Sequence, residues 1–371
     1  MKSPKIRFKE FQNEWNSRIL GEVCNKFDNL RIPIAENLRK KGNIPYYGAN
    51  GIQDYVDGYT HDGEFVLIAE DGANDIKNYP VQYVNGKIWV NNHAHVLQGK
   101  NGILNNIFLN YSISSINFEP FLVGGGRAKL NASVMDNLTF RIPSDIKEQE
   151  KIGEFFRKID GILDLENSRF KKLENFKKTM LDRLFVKDGA DEPQIRLGSF
   201  KGEWNSRILG DICEITTGKL DANAQVKNGK YPFFTCAKEV FKIDKFAFDF
   251  ESLLISGNGA NVGYIHYYNG KFNAYQRTYV LYNFKKNIFF LKYILENSLH
   301  DRIEKEKNAS NTPFITLSTI KDMRIRIPND IKEQEKIGEF FRKIDGILEF
   351  SQKKITKLEN IKKYLLNKMF V

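Results

Sequence analysis

The sequence is short of the features that would place it in a membrane or outside a cell. No run of eighteen apolar residues occurs, so no segment reads as a membrane-crossing helix. The opening MKSPKIRFKE lacks the apolar core of a signal peptide. There are three cysteines, Cys24, Cys213 and Cys236, an odd number with no CxxC pair. That excludes a disulfide framework and leaves a reduced, cytoplasmic chain as the expectation. A dense basic block is missing too. The net charge is +11, but Lys and Arg exceed Asp and Glu by only one in residues 1–145 and by two in 146–188. The excess is four in each of 189–330 and 331–371. An anionic partner is expected, held by a few placed residues and not by a polybasic tail. With 371 residues, 41% hydrophobic and 28% charged, the chain suits two or three globular domains.

What is present is a repeat. Residues 146–163, IKEQEKIGEFFRKIDGIL, recur unchanged as 331–348, and the register then holds from 145–186 to 330–371 without a gap. A second repeat, EWNSRILG, occupies 14–21 and 203–210, with Cys24 matching Cys213. The order is therefore block, helix, block, helix. The blocks, rich in Gly, Asn, Tyr and Phe, align only in patches. Pro45-Tyr46-Tyr47 faces Pro232-Phe233-Phe234, and Asp71-Gly72-Ala73 faces Asn258-Gly259-Ala260. Short β-branched and aromatic runs at 64–69, 87–90, 253–256, 264–268 and 279–282 predict strands. Asn50-Gly51, Asp57-Gly58, Asn85-Gly86 and Asn269-Gly270 predict turns. A helix is expected over 288–305, and each block ends on a strand-like Arg-Ile-Pro.

The repeated segment predicts a long amphipathic helix. Asp145 and Asp330 are N-cap residues, with Glu148 and Glu333 three positions on completing a capping box. Apolar residues then alternate at threes and fours for about 40 residues, or about 60 Å. The natural partner for so long a stripe is the other copy, arranged antiparallel. Gly153, Gly161, Gly338 and Gly346 each cost about 1 kcal/mol in a helix relative to Ala, which suggests close approach of another backbone. Identical helices present one surface twice and so predict two copies of one partner. Divergent blocks predict two ligands, or two halves of one asymmetric ligand. The fold expected is α+β: two mixed α/β domains joined by a long antiparallel two-helix coiled coil, a pseudo-two-fold internal repeat. Its parts are 1–144, 145–189, 190–329 and 330–371.

Arg-Phe…Phe…Glu-Trp…Leu-Gly opens each block, and Ile142-Pro143…Glu148-Gln149…Ile152 and Ile327-Pro328…Glu333-Gln334…Ile337 close them. In these motifs, and in the duplicated order over its whole length, the chain resembles the specificity subunit of type I restriction–modification systems. The resemblance implies that each block is a target recognition domain reading half of a bipartite double-stranded DNA site. The helices would set the gap and dock two methyltransferase subunits, through which restriction and translocase subunits join. It implies no catalysis and no cofactor in this chain. S-adenosylmethionine, ATP and Mg would act on the partner subunits, for adenine methylation and ATP-dependent cleavage.

Bases are read by Arg, Lys, Asn and Gln, while phosphate contacts fix position. In the first block the richest cluster is Gly124-Gly125-Gly126-Arg127-Ala128-Lys129-Leu130-Asn131. Its glycines allow close approach, and Arg127, Lys129 and Asn131 are the candidate contacts. The counterpart is 305–312, with Lys307, Asn308, Asn311 and Thr312. Asn50 and Lys238 close two aromatic strands. Asn91, Asn92 and His93 read as an exposed polar strand, matched by Gln276 and Arg277, and Asn258 adds to the second block. His93 and His95 would share a strand face, but no third ligand lies nearby, so no metal is expected. Phe155, Phe156 and Ile159, with Phe340, Phe341 and Ile344, are the candidate partner contacts on the helices.

A second reading makes the chain itself an adenine methyltransferase. Gly257 and Gly259 lie in a glycine loop after an apolar strand, and Asn311-Thr312-Pro313-Phe314 is one substitution from the Asn-Pro-Pro-Phe of such enzymes. A phosphate-binding glycine loop should open a helix, whereas a strand is expected here, so the non-catalytic reading is preferred. A purely structural coiled-coil scaffold is the third.

Overall fold

The motif that opens each block pairs with the one that closes it. Strand Trp15–Ile19 runs antiparallel to Thr139–Pro143, and Asn205–Ile208 runs antiparallel to Arg324–Ile327. The structure, a computed structural model, describes residues 3–124, 128–187, 189–306 and 314–371. It forms two compact units, Met1–Asn167 with Lys353–Val371, and Ser168–Gln352. Each unit therefore contains one block and part of each long helix.

The first unit has a six-stranded sheet in the order Cys24–Lys26, Ala94–Gly99, His61–Ala69, Val81–Val90, Lys41–Gly48, Gly51–Val56. All neighbours are antiparallel except Val81–Val90 with Lys41–Gly48. The second unit repeats this with Glu214–Thr217, Thr278–Tyr282, Phe248–Ser256, Ile265–Ala274, Tyr231–Phe234 and Phe241–Ile243. Its parallel pair is again the fourth with the fifth. Successive side chains point to opposite faces of a strand. Val66 and Ile68 accordingly join helix Asn106–Ser114 in one core, while Phe65 and Leu67 join Val84, Val90 and Val96 in another. A strand covered on both faces reads as a continuous apolar run, as 65–69 does. Burying each such side chain contributes about 1.5–3 kcal/mol.

Two expected turns are not turns. Asn85-Gly86 lies inside Val81–Val90 with Gly86 opposite Gly63, and Asn269-Gly270 lies inside Ile265–Ala274 opposite Phe250. Gly86 at φ +97° and Gly270 at φ +122° take a conformation closed to L side chains, so glycine serves a local distortion of a continuing ladder.

The long helices run Ile146–Leu184 and Ile331–Met369. Asp145 and Asp330 cap them, their Oδ1 atoms accepting from Lys147 N at 2.9 Å and Lys332 N at 2.8 Å. The expected capping box does not form, because a stronger donor competes for the glutamate. Glu148 is buried and takes Arg7 in a two-pronged contact, Nε at 2.7 Å and Nη2 at 2.8 Å, with Trp15 Nε1 at 3.3 Å. Glu333 takes Arg196 at 3.2–3.3 Å. Burial pushes the Glu333 carboxyl up, against the pull of Arg196. The adjacent glutamine ties the helix to the next element. Gln149 donates to Pro143 O and Ile103 O and accepts from Asn105 N, and Gln334 donates to Pro328 O and accepts from Asn287 N. Asn105 and Asn287 in turn accept from Phe108 N and Phe290 N at the starts of Asn106–Ser114 and Ile288–Glu306. The motifs shared by both blocks are thus the joints between block and helix.

Within each unit the two helix segments run antiparallel. In the first, Asp160 meets Lys362 at 2.6 Å and Glu166 meets Lys354 at 2.8 Å. In the second, Asp345 meets Lys177 at 2.7 Å. Each aspartate also accepts from a tyrosine at 2.7 Å, Tyr111 or Tyr293. Burial by itself raises the Asp345 carboxyl, but Lys292, Lys177 and Tyr293 outweigh it and hold it below the usual carboxylate range. Phe370, after the second helix, packs on Trp15 at 6.2 Å, and Phe185, after the first, packs on Trp204 at 6.2 Å. Trp15 and Trp204, the tryptophans of the two opening motifs, are therefore each covered by the end of the helix that follows the other block. Cys24 and Cys213 are core residues whose thiols burial pushes up to about 12. Among the described residues, no helix is long and apolar enough to cross a membrane.

Two of the four helix glycines mark close approaches. A Cβ on Gly153 would lie 3.0 Å from Phe108 N, and one on Gly338 would lie 2.8 Å from Asn287 Oδ1 and 2.9 Å from Phe290 N. At Gly161 and Gly346 a Cβ would meet nothing within 4 Å, contrary to expectation.

Candidate nucleic-acid interface

In both units the described members of the expected contact set lie at one end of the six-stranded sheet, stitched by the same backbone bonds. In the first unit, Asn91, Asn92 and His93 form the tight connection between Val81–Val90 and Ala94–Gly99, not a strand. Asn91 N donates to Tyr47 O at 3.0 Å, and His93 O accepts from Glu70 N at 2.8 Å. The connection Tyr275-Gln276-Arg277 does the same, with Tyr275 N on Phe234 O at 2.9 Å and Gly257 N on Arg277 O at 2.8 Å. The segment before the final short helix then crosses this end. Leu130 N donates to Glu70 O at 2.7 Å, and Ile315 N donates to Gly257 O at 2.9 Å. Lys129 bridges to Asp71 as Phe314 bridges to Asn258.

The side chains are placed unequally. Asn92, Gln276, Arg277 and Lys238 are exposed, with Lys238 over the Tyr264 ring at 5.6 Å. Lys129 is 45% exposed and pairs with Glu70 at 3.2 Å. Asn131 and Asn258 are half-buried, and the Asn131 side chain caps nothing although it precedes Ala132–Asp136. Asn50 is exposed, yet its amide spans Gly72 O and Asn74 N at 2.9 Å each, so it braces a loop. Asn91, at 4% exposure, is a correction: its side chain turns inward to Gln53 and His93 N and is shut off from solvent. Arg127, Lys307, Asn308, Asn311 and Thr312 lie outside the described residues.

His93 and His95 do not share a face, because the turn intervenes. His93 pairs with Asp71 near the surface, while His95 is fully buried. Among the described residues, Asp28, Glu70 and His95 form the one cluster with metal-like spacing. It is already neutralised from within. Arg31 reaches Glu70 at 2.7 Å and Asp28 at 3.6 Å, and Lys129 adds a second cation. Burial raises both carboxyls, but His95, Arg31 and, for Glu70, Lys129 outweigh it and hold them below the usual range. A divalent ion would have to displace two cations, so the set fits none. In the sequence His95 reads only as a possible ligand, because the network draws on four separate segments, 28–31, Glu70, His95 and Lys129.

The Gly257/Gly259 loop joins strand Phe248–Ser256 to strand Ile265–Ala274. It opens no helix, and Gly257 N and O are spent on Arg277 O and Ile315 N. The arrangement of glycine loop followed directly by a helix, on which the methyltransferase reading rested, is not formed here. On the helices, the proposed partner contacts Phe156, Phe341 and Ile344 are buried in their own units and therefore unavailable. Phe155, Ile159 and Phe340 are half-buried against the same cores. Among the large apolar side chains the helices do expose are Ile162, Leu165 and Phe176, at 47%, 50% and 46%, and, 185 positions on, Ile347, Phe350 and Ile361, at 53%, 70% and 41%.

A family model for the type I restriction modification DNA specificity domain matches the chain twice, over residues 12–175 and 201–360. A putative type I restriction enzyme specificity subunit of Haemophilus influenzae is 53% identical over 130 residues, 35% of this chain and 33% of that protein. The EcoDI specificity subunit of Escherichia coli is 38% identical over 168 residues, 45% of this chain and 36% of that protein. The chain thus spans about a third of the length of these two curated relatives. In fold it is similar to the S subunit of a type I restriction–modification system from M. genitalium, with a TM-score of 0.78 at 18% identity over 100% of this chain and 99% of that one.

Proposed function

Since the chain belongs to the family of type I restriction–modification DNA specificity domains, we propose that it is the non-catalytic DNA-specificity subunit of such an enzyme. Each unit reads one half of an asymmetric, bipartite double-stranded site at the end of its sheet. Residues 1–144 and 190–329 are the recognition domains, and 145–189 and 330–371 are the spacer helices between them. The protein works in the cytoplasm, in a complex whose other subunits carry the methyltransferase, translocase and nuclease chemistry with their S-adenosylmethionine, ATP and Mg. One observation carries the reading. Two sheets of identical topology are joined through identical helix starts and differ in the side chains at the end where Asn92 and Lys129 stand in one and Gln276, Arg277 and Lys238 in the other.

The test is base discrimination by the assembled complex. Arg277→Ala should relax recognition at positions in one half-site only, by about 1–3 kcal/mol. A uniform loss over all sequences would demote Arg277 to a phosphate contact, and failure of the wild-type complex to prefer any DNA sequence would sink the reading.

The exposed positions on the helices support two equivalent docking surfaces for a methyltransferase subunit. Gly161, Ile162 and Leu165 recur 185 positions later as Gly346, Ile347 and Phe350. The two glycines cost helix stability, and among the described residues no side chain packs where their Cβ atoms would be. Ile347→Asp with Phe350→Asp should reduce the methyltransferase subunits per chain from two to one in native mass spectrometry. Retention of both would remove these residues from the interface.

A further inference from the structure

We propose that His95 and Tyr279 are positioning residues that hold equivalent segments at the two recognition surfaces, one through a buried charged network and the other through a neutral hydroxyl. The inference rests on the reading of those surfaces as DNA-recognising.

The two residues occupy the same place. His95 stands opposite Ile68 in the first sheet, and Tyr279 stands opposite Ile255 in the second. Each reaches the carbonyl of the residue that follows the bridge at the sheet end. His95 Nε2 lies 2.9 Å from Leu130 O, and Tyr279 Oη donates to Ile315 O at 3.0 Å. The amides of Leu130 and Ile315 are the ones already bound to Glu70 O and Gly257 O. Both backbone groups of one residue are therefore clamped in each unit. The neighbours so fixed are Lys129 and Asn131 in the first, and Phe314, bridged to Asn258, in the second.

The surroundings differ in kind. A carbonyl only accepts, so His95 Nε2 carries the hydrogen there, and Nδ1 faces Asp28 Oδ2 at 2.7 Å. Asp28 Oδ1 accepts from Val96 N at 2.7 Å, which fixes the carboxylate to the same strand. Arg31 joins Asp28 to Glu70 and also donates to Ala94 O at 2.8 Å, and Glu70 binds the Lys129 ammonium. The ring is thus held by charged groups from three segments, and its orientation sets Leu130. Tyr279 needs no such support, because a phenol has a single hydrogen to aim and its ring is fixed by the core.

The prediction is read with the complete complex on a randomised duplex library, sequenced after binding. His95→Gln, which breaks the link to Asp28, should lower discrimination about tenfold at positions of one half-site and leave the other as in the wild type. Tyr279→Phe should do the reverse. His95→Tyr, which installs the tether of the second unit, should recover most of the loss. Hydrogen exchange gives a readout independent of DNA: His95→Gln should speed exchange at Leu130 and leave Ile315 unchanged. Equal loss in both half-sites, or unchanged exchange at Leu130, would overturn the proposal. If the wild-type complex selects no sequence at all, the functional reading fails instead, and the exchange result still decides the tether.

Discussion

Arg7→Ala is expected to lower the stability of the first unit by about 3–5 kcal/mol, the cost of leaving a buried charge without its partner. Glu148 is 1% exposed, and its two oxygens take Arg7 and Trp15. Among the described residues, Arg7 is the one cation that forms an ion pair with Glu148. Removing both charges should behave differently. An Arg7→Met, Glu148→Met chain should regain most of the loss, since two apolar side chains leave no buried charge and only the Trp15 indole N–H without its acceptor. The corresponding Arg196→Ala should cost less. The Arg196 contacts to Glu333 are longer, and burial already pushes the Glu333 carboxyl up. Without Arg196, protonation relieves the buried charge, so the deficit should shrink as pH falls towards the carboxylate range and be largest near neutrality. Denaturant titration followed by tryptophan emission separates the units, because Trp15 and Trp89 lie in the first and Trp204 in the second. A loss under about 1 kcal/mol for Arg7→Ala would show that the pair contributes no more than a surface ion pair.

The second large effect is a difference in sign between two glycines of one helix. At Gly338 an added methyl meets a backbone nitrogen and a side-chain oxygen inside 3 Å, and the helix start that supplies them cannot retreat without losing its cap. Gly338→Ala should therefore cost about 1–3 kcal/mol. At Gly346 nothing lies within 4 Å, so Gly346→Ala should raise stability by about 1 kcal/mol through helix propensity alone. Thermal unfolding of the two single variants measures both. If the Gly346 surface docks a partner, the stabilised variant should also bind that partner less well, which a pull-down against the methyltransferase subunit reads directly. Equal effects of the same sign at Gly338 and Gly346 would contradict the packing described.

How much of this was legible depended on how local each signal was. The strands at 64–69 and 253–256, the helix over 288–305 and the Asp145 and Asp330 caps rest on neighbouring residues, and they stand where expected. The Asn-Gly pairs at 85 and 269 misled because an Asn-Gly step fits a hairpin turn and a distorted strand equally well. Only the facing strand decides between them. The polar run at 91–93 misled for a related reason: Asn91 and Asn92 are adjacent and alike in sequence, yet one is turned inward to Gln53 and the other outward. Phe156 and Phe341 carried a clear amphipathic stripe, but a stripe names a buried face without saying what buries it. Here the chain's own sheet domains do so, and the apolar side chains left exposed on the helices include Ile162, Leu165 and Phe176, with Ile347, Phe350 and Ile361.

The sequence alone determined the duplication, the block–helix order, the long helices and the family, because each follows from residues matched in register along one strand of chain. Only the tertiary structure decided that Glu148 and Gln149 are joints and not caps. It also decided that His95 is buried in a network with Asp28, Arg31 and Glu70, and that Ile162, Leu165 and Phe176, with Ile347, Phe350 and Ile361, stay exposed on the helices. Those outcomes turn on competition between partners far apart along the chain, from 35 residues for His95 and Leu130 to 141 for Arg7 and Glu148, and a carboxylate or a carbonyl binds the donor that folding brings nearest.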